Sequence, residues 1–71
     1  MNIEIRGSEI KVGQLLKKIG EIQTGGAAAV FLNKHVVKVN GKRTVNRGAK
    51  VRDKDIVWID EKLYKIVSVS E

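Results

Sequence analysis

The chain has 71 residues, 14 Lys and Arg against 8 Asp and Glu for a formal net charge of +6, and neither cysteine nor proline. That length leaves room for one domain, residues 1–71, which would bury roughly 60% of its unfolded surface. Without cysteine there is no disulfide framework and no thiolate metal site, and no stretch approaches the ~20 apolar residues of a membrane span, so a soluble cytoplasmic protein with no membrane partner is expected.

The first residues alternate, Ile3 and Ile5 with Glu4 and Arg6, which predicts a half-buried edge strand ending at Gly7-Ser8. In "KVGQLLKKIG" the residues Val12, Leu15, Leu16 and Ile19 fall at i, i+3, i+4 and i+7, the apolar stripe of a helix. Lys17 and Lys18 sit where cations meet the negative end of the dipole, and Gly20 is the stop. Lys11 occupies the N-cap position without a side-chain acceptor, the alternative being an earlier start capped by Ser8.

A second helix is predicted from Thr24, a competent N-cap, through Gly25 and Gly26 to about Lys34, with Ala28, Phe31 and Leu32 on one side. Its start, "TGGAAAVFL", sets a helix-breaking pair against a run of the best helix former. Either the small side chains let two helices approach closely, or a bare N-terminus exposes its amides to a phosphate.

The period then changes to two. Valines alternate around Asn40-Gly41, the dipeptide that suits the two positive φ values of a type I′ hairpin turn. A two-residue turn sets Val39 opposite Lys42, Lys38 opposite Arg43 and Val36 opposite Val45. Two opposed cations destabilise a sheet by roughly 0.2–1 kcal/mol, which suggests an anion is expected there.

"NRGAKVRDKD" reads as an irregular basic loop with Asn46 and Gly48 as turn residues. It leads into "IVWI", residues 56–59, a continuous apolar run typical of a well-buried strand. Asp60, Glu61 and Lys62 make a turn. In "LYKIVSV" alternation resumes, with Leu63, Lys65, Val67 and Val69 on one face and Tyr64, Ile66 and Ser68 on the other, a strand that can pair with the first.

Charge placement is more telling than its sum. From Ile22 to Arg52 there is no acidic residue, while Lys34, Lys38, Lys42, Arg43, Arg47, Lys50 and Arg52 supply seven positive charges. So local an excess is the electrostatic footprint of a polyanion partner. Catalytic constellations do not stand out: His35 reads as a partly exposed cap residue, Asp53 and Asp55 as a turn, and Gly25-Gly26 lacks the spacing of a nucleotide-binding loop. No enzyme activity, metal, cofactor or small-molecule substrate is expected. Phe31, Trp58 and Tyr64 each lie in an apolar pattern and are assigned to the core, which leaves no stacking platform and favours structured RNA over splayed single strands.

The order of a short helix, "TGGAAAVFLNKHVVKVNGK" and "GAKVRDKDIVWI" resembles the S4 RNA-binding domain, whose mark is a helix leading through a glycine-containing segment into a V-x-V-N-G hairpin, here Val37 to Gly41. Within that family the likeness is to the small stand-alone bacterial YaaA type, through "IKVGQLL", "TGGAA", "VKVNG" and "NRGAKVRDKDIV".

The resemblance implies an α+β fold with the S4-like αL motif, two short helices packed on a small, mainly antiparallel sheet of four to five strands. By position it implies RNA contacts at Lys11, at Thr24, Gly25 and Gly26, at Lys38, Lys42 and Arg43 of the hairpin, and at Arg47, Lys50 and Arg52. Relatives commonly carry a basic residue where this chain reads Ala27-Ala28-Ala29, so one phosphate contact is expected to be missing. Asp53-Lys54-Asp55 also departs from the usual Pro-Gly-Asp turn, since lysine does not favour positive φ. The function expected is non-enzymatic recognition of structured RNA, ribosomal RNA above all, by a monomer associated with the ribosome or its assembly. The alternative is a protein-interaction module docking on an acidic ribosomal or replication partner.

Overall fold

The computed structural model describes residues 1–69. The alternating start forms β1 (Asn2–Arg6), with Ile5 buried. A short strand, β2 (Glu9–Lys11), runs directly into α1 (Val12–Lys18), whose stripe of Val12, Leu15 and Leu16 is buried. Lys11 is the N-cap, in extended conformation with φ −76° and ψ 147°, and Ser8 stays outside the helix. An ammonium cannot accept, so the local capping comes from Gln14, whose Oε1 accepts the Lys11 amide at 3.4 Å.

The second helix starts later than its sequence predicts. α2 spans Ala27–Lys34 with Gly26 at the N-cap and no side-chain cap, so Thr24 does not cap it. The carbonyls of Thr24 and Gly25 instead accept the amides of Ala27 and Ala28, both at 3.2 Å, closing a tight turn ahead of the helix. Two consecutive glycines lower the return on extending the helix by another turn, and the regular element begins where alanine does. Ala28, Phe31 and Leu32 are its buried residues, as the spacing predicts.

The hairpin forms with β3 (Val37–Val39) and β4 (Lys42–Arg43) around Asn40 and Gly41, at φ 51° and 87°. Val39 opposes Lys42 and Lys38 opposes Arg43, as expected. Val36 and Val45 do not pair. The ladder closes with the Thr44 amide on the Val37 carbonyl, and the Val36 amide turns instead to Asp60 Oδ1 at 3.1 Å. In the region expected to be an irregular loop, Lys50–Arg52 form β5, antiparallel to β2. Its K-V-R pattern is a minimal alternation, with Val51 buried between two exposed cations.

β6 (Ile56–Ile59) and β7 (Lys62–Val69) complete a five-stranded sheet in the order β1-β7-β6-β3-β4. All its pairs are antiparallel except β1 with β7. Val37, Val57, Ile59, Tyr64 and Ile66 turn inward against the apolar sides of α1 and α2, in one cluster that also takes in Ile5 and Val51. The fold is therefore α+β, with two helices on one face of a mainly antiparallel sheet and a two-stranded ribbon at its side. Among the described residues no helix is long and apolar enough to cross a membrane.

Because helices cover one face only, "IVWI" is not the strand buried on both faces that its composition suggests. Val57 and Ile59 are buried, while Trp58 faces out and is 40% exposed. Of the three aromatics assigned to the core, Phe31 and Tyr64 are there and Trp58 is not.

Candidate nucleic-acid interface

The start of α1 is tied to the loop before β5. The Val12 amide donates to the Ala49 carbonyl at 2.8 Å and the Gly13 amide to the Arg47 carbonyl at 2.9 Å, satisfying two donors that a helix start leaves open. The loop is shaped to reach them by Asn46, whose Oδ1 accepts the Gly48 amide at 2.9 Å and whose carbonyl accepts the Ala49 amide at 3.0 Å. What this end of α1 offers a ligand is thus the exposed Lys11 side chain, not these two amides.

Gly13 makes the approach possible. A Cβ there would stand 3.3 Å from the Arg47 Cβ, 3.4 Å from its carbonyl oxygen and 3.6 Å from the Ala28 Cβ. The residue was not among the sequence candidates, yet it left a signal: glycine inside an apolar helical stripe costs about 1 kcal/mol relative to alanine and calls for a packing reason. The close partner is Arg47, with Ala28 of α2 next to it, which accounts for part of the bareness of α2.

Arg47 then crosses to the other helix. Its Nη1 donates to the Gly25 carbonyl at 3.0 Å, fixing the guanidinium beside the turn that starts α2. An open cleft lies here, lined by Lys11, Gln14, Lys17, Gly25, Arg47 and Gly48. Three of the lining residues are cations and none is acidic. Lys17, read from the sequence only as a helix-dipole partner, belongs to this group. Gly25 and Gly26 have open space where a Cβ would stand.

Lys50 and Arg52 are less free than the acid-free stretch suggests. β2 pairs Glu9 with Arg52, and its carboxylate lies 3.1 Å from Lys50 Nζ and 3.7 Å from Arg52 Nε. Sequence counting missed this because the acid comes from 41 residues upstream of Lys50, across a strand pair of three residues. Lys11 stands directly opposite Lys50 in the same ribbon.

The hairpin cations divide. Lys42 is opposite Val39, which packs against the core, whereas Lys38 and Arg43 form a cross-strand pair on the outer face, in register with Trp58. The candidates therefore fall into two groups: Lys11, Thr24, Gly25, Gly26, Arg47, Lys50 and Arg52 around the helix starts and the ribbon, and Lys38, Lys42 and Arg43 on the hairpin.

The remaining polar residues hold turns. His35 is the C-cap of α2, stacked on Phe31 with ring centroids 4.3 Å apart, and its Nδ1 lies 2.7 Å from Asp60 Oδ2. That hydrogen bond, the Val36 amide and the nearby charge of His35 and Lys62 lower the Asp60 pKa below its ordinary 3.8. Lys54 adopts φ 72° despite its side chain. Asp53 accepts the Ser68 amide at 2.7 Å, and Asp55 accepts the Arg52 amide at 2.8 Å and the Asn40 side chain at 3.0 Å. Among the described residues, no group of three or more His, Asp or Glu could hold a metal ion.

Comparison with known proteins agrees with the family resemblance carried by the V-x-V-N-G hairpin. A family model of the S4 domain matches residues 3–67. A relative from Bacillus subtilis (strain 168), described as a probable ribosome maturation protein, RlbA, is 41% identical over 58 residues, which cover 82% of this chain and 82% of that protein. With nearly its whole length matched and the helix–turn–hairpin order in place, the chain belongs to the S4 domain family.

Proposed function

We propose that residues 1–71 act as one monomeric RNA-binding domain that performs no catalysis, recognises structured RNA, ribosomal RNA first, and serves the assembly of the ribosome. The cleft between the two helix starts carries this reading: Lys11, Lys17 and Arg47 converge on it with no carboxylate in its lining. Membership of the S4 family supports RNA as the ligand, and the name of the Bacillus subtilis relative supports a ribosomal one.

The chemistry required is phosphate binding, which needs neither cofactor nor nucleophile. Arg47 is anchored through one N–H to Gly25 and keeps its other donors for a phosphate, in a fork pre-set by that anchor. Gly25 and Gly26 let a backbone phosphate come close to the start of α2, where the helix dipole is positive. Thr24 flanks that approach. Lys50 and Arg52 exchange Glu9 for phosphate at the rim, and Lys38, Lys42 and Arg43 extend the contact along the hairpin.

The direct experiment is sedimentation of lysate on a density gradient. The protein is expected to travel with ribosomal subunits at low salt and leave them at high salt, and crosslinking with sequencing then identifies the RNA. Partners that persist unchanged after nuclease treatment, with no RNA recovered, contradict the reading and favour protein docking.

A further inference from the structure

A row of four side chains crosses the sheet on the face turned away from the helices. Arg43 stands opposite Lys38, Lys38 opposite Trp58, and Trp58 opposite Leu63. Neighbouring strands lie about 4.8 Å apart, so the row brings both cations within reach of anything resting on the indole. Trp58 and Leu63 are 40% and 43% exposed, whereas the alternate residues of the same strands, Val57, Ile59 and Tyr64, are buried.

The fold does not use this row, and the RNA contact proposed above draws only on its two cations, which leaves the exposed Trp58 and Leu63 without a role. Among the described residues Lys38 and Arg43 have no ion-pair partner, although they are directly opposed like charges. A shallow cavity beside the indole is lined by Val36, Lys38, Gly41, Trp58 and Asp60. The Asp60 carboxylate is already engaged by His35 and the Val36 amide, so the uncommitted charge on this side is positive.

A flat apolar ring flanked by two uncommitted cations matches one ligand chemistry, an aromatic base joined to phosphates. Base–aromatic stacking tolerates any base, and Arg or Lys beside the ring holds the backbone. A stable protein partner would require an apolar area far larger than one indole and its neighbours. We propose that the outer face of the sheet stacks an unpaired nucleobase of RNA on Trp58, with Lys38 and Arg43 on the adjoining phosphates. This inference rests on the RNA-binding reading and extends it to a second contact, for unpaired nucleotides.

Trp58 is the sole tryptophan, so its emission reports this face alone. The full chain is titrated with a blunt RNA duplex and with the same duplex carrying a single-stranded extension, while the anisotropy of a dye on the RNA reports binding independently. The extended RNA is expected to quench Trp58 and the blunt duplex to bind without quenching. Trp58→Leu is expected to weaken binding of the extended RNA by about tenfold, the order of one lost stack, to leave duplex binding unchanged, and to be rescued by Trp58→Phe. Far-UV circular dichroism checks that each variant folds.

Binding of the extended RNA by Trp58→Leu at wild-type affinity, with emission unchanged in the wild type, overturns the inference while the RNA-binding reading stands. Absence of binding to either RNA overturns both. A lysate protein that survives nuclease treatment and is lost with Trp58→Leu, while RNA affinity holds, overturns the inference in favour of a protein partner.

Discussion

Arg47 Nη1 donates to the Gly25 carbonyl at 3.0 Å, across 22 residues of sequence, while the Arg47 carbonyl accepts the Gly13 amide at 2.9 Å. One residue thus joins the starts of both helices and sets their spacing. Its guanidinium sits in the cleft that carries the proposed function.

Arg47→Lys separates charge from geometry. Lysine keeps the positive charge but not the planar fork, so it cannot hold Gly25 and grip a phosphate in the same fixed plane. Affinity for structured RNA is expected to fall about threefold to tenfold in a filter-binding assay, with the salt dependence of binding retained.

Gly13→Ala tests the close approach. Alanine gains about 1 kcal/mol of helix propensity, but its Cβ would meet Arg47 Cβ at 3.3 Å and must push the exposed loop outward. Melting temperature is expected to change little, while RNA affinity drops several-fold. The reverse pattern, lost stability with affinity intact, would mean that the loop does not position Arg47 for the ligand.

Lys54→Gly is expected to stabilise the fold. A left-handed conformation costs an L-residue roughly 1–2 kcal/mol and glycine returns part of this as unfolded-state entropy, leaving a gain of about 0.5–1 kcal/mol. For a domain of this size that raises the melting temperature by roughly 2–8 °C. At Asn40, also left-handed at φ 51°, alanine is expected to destabilise by about 2 kcal/mol or more. It loses both the donor to Asp55 and the acceptor for the Ile56 amide.

Asp60→Asn tests the turn that anchors α2. The hydrogen bond from His35, that from the Val36 amide, and the charges of His35 and Lys62 hold the Asp60 carboxyl below 3.8 in the folded chain. A carboxylate with a depressed folded pKa contributes stability above its unfolded pKa, and that contribution is lost as pH falls through the folded value. The variant is expected to melt lower at neutral pH and to lose less stability than the wild type on acidification below about pH 4. His35 and Asp60 are about half exposed, so the difference is modest.

Much of this architecture is visible in the residues themselves. Val12, Leu15 and Leu16 announce α1 by their spacing, and Asn40-Gly41 specifies both the hairpin turn and its register, because those signals are local. Information that comes from across the chain is absent from any single stretch. Glu9 neutralises part of Lys50 and Arg52 only once β2 and β5 pair, and the three-residue β5 is too short to show a period. Trp58 looks buried within "IVWI" because composition does not reveal that only one face of the sheet is covered. Thr24 is a good cap by type, but two glycines after it favour a turn over a first helical turn.

The central claim is that cations at the helix starts bind RNA phosphates, and the salt dependence of that binding tests it most directly. With three to five phosphates neutralised, log K for a ribosomal RNA fragment is expected to fall against log salt with a slope of about −2 to −4, and Arg47→Ala is expected to make it shallower by about 1. A slope near zero, or wild-type affinity and slope retained in Arg47→Ala, would contradict the account.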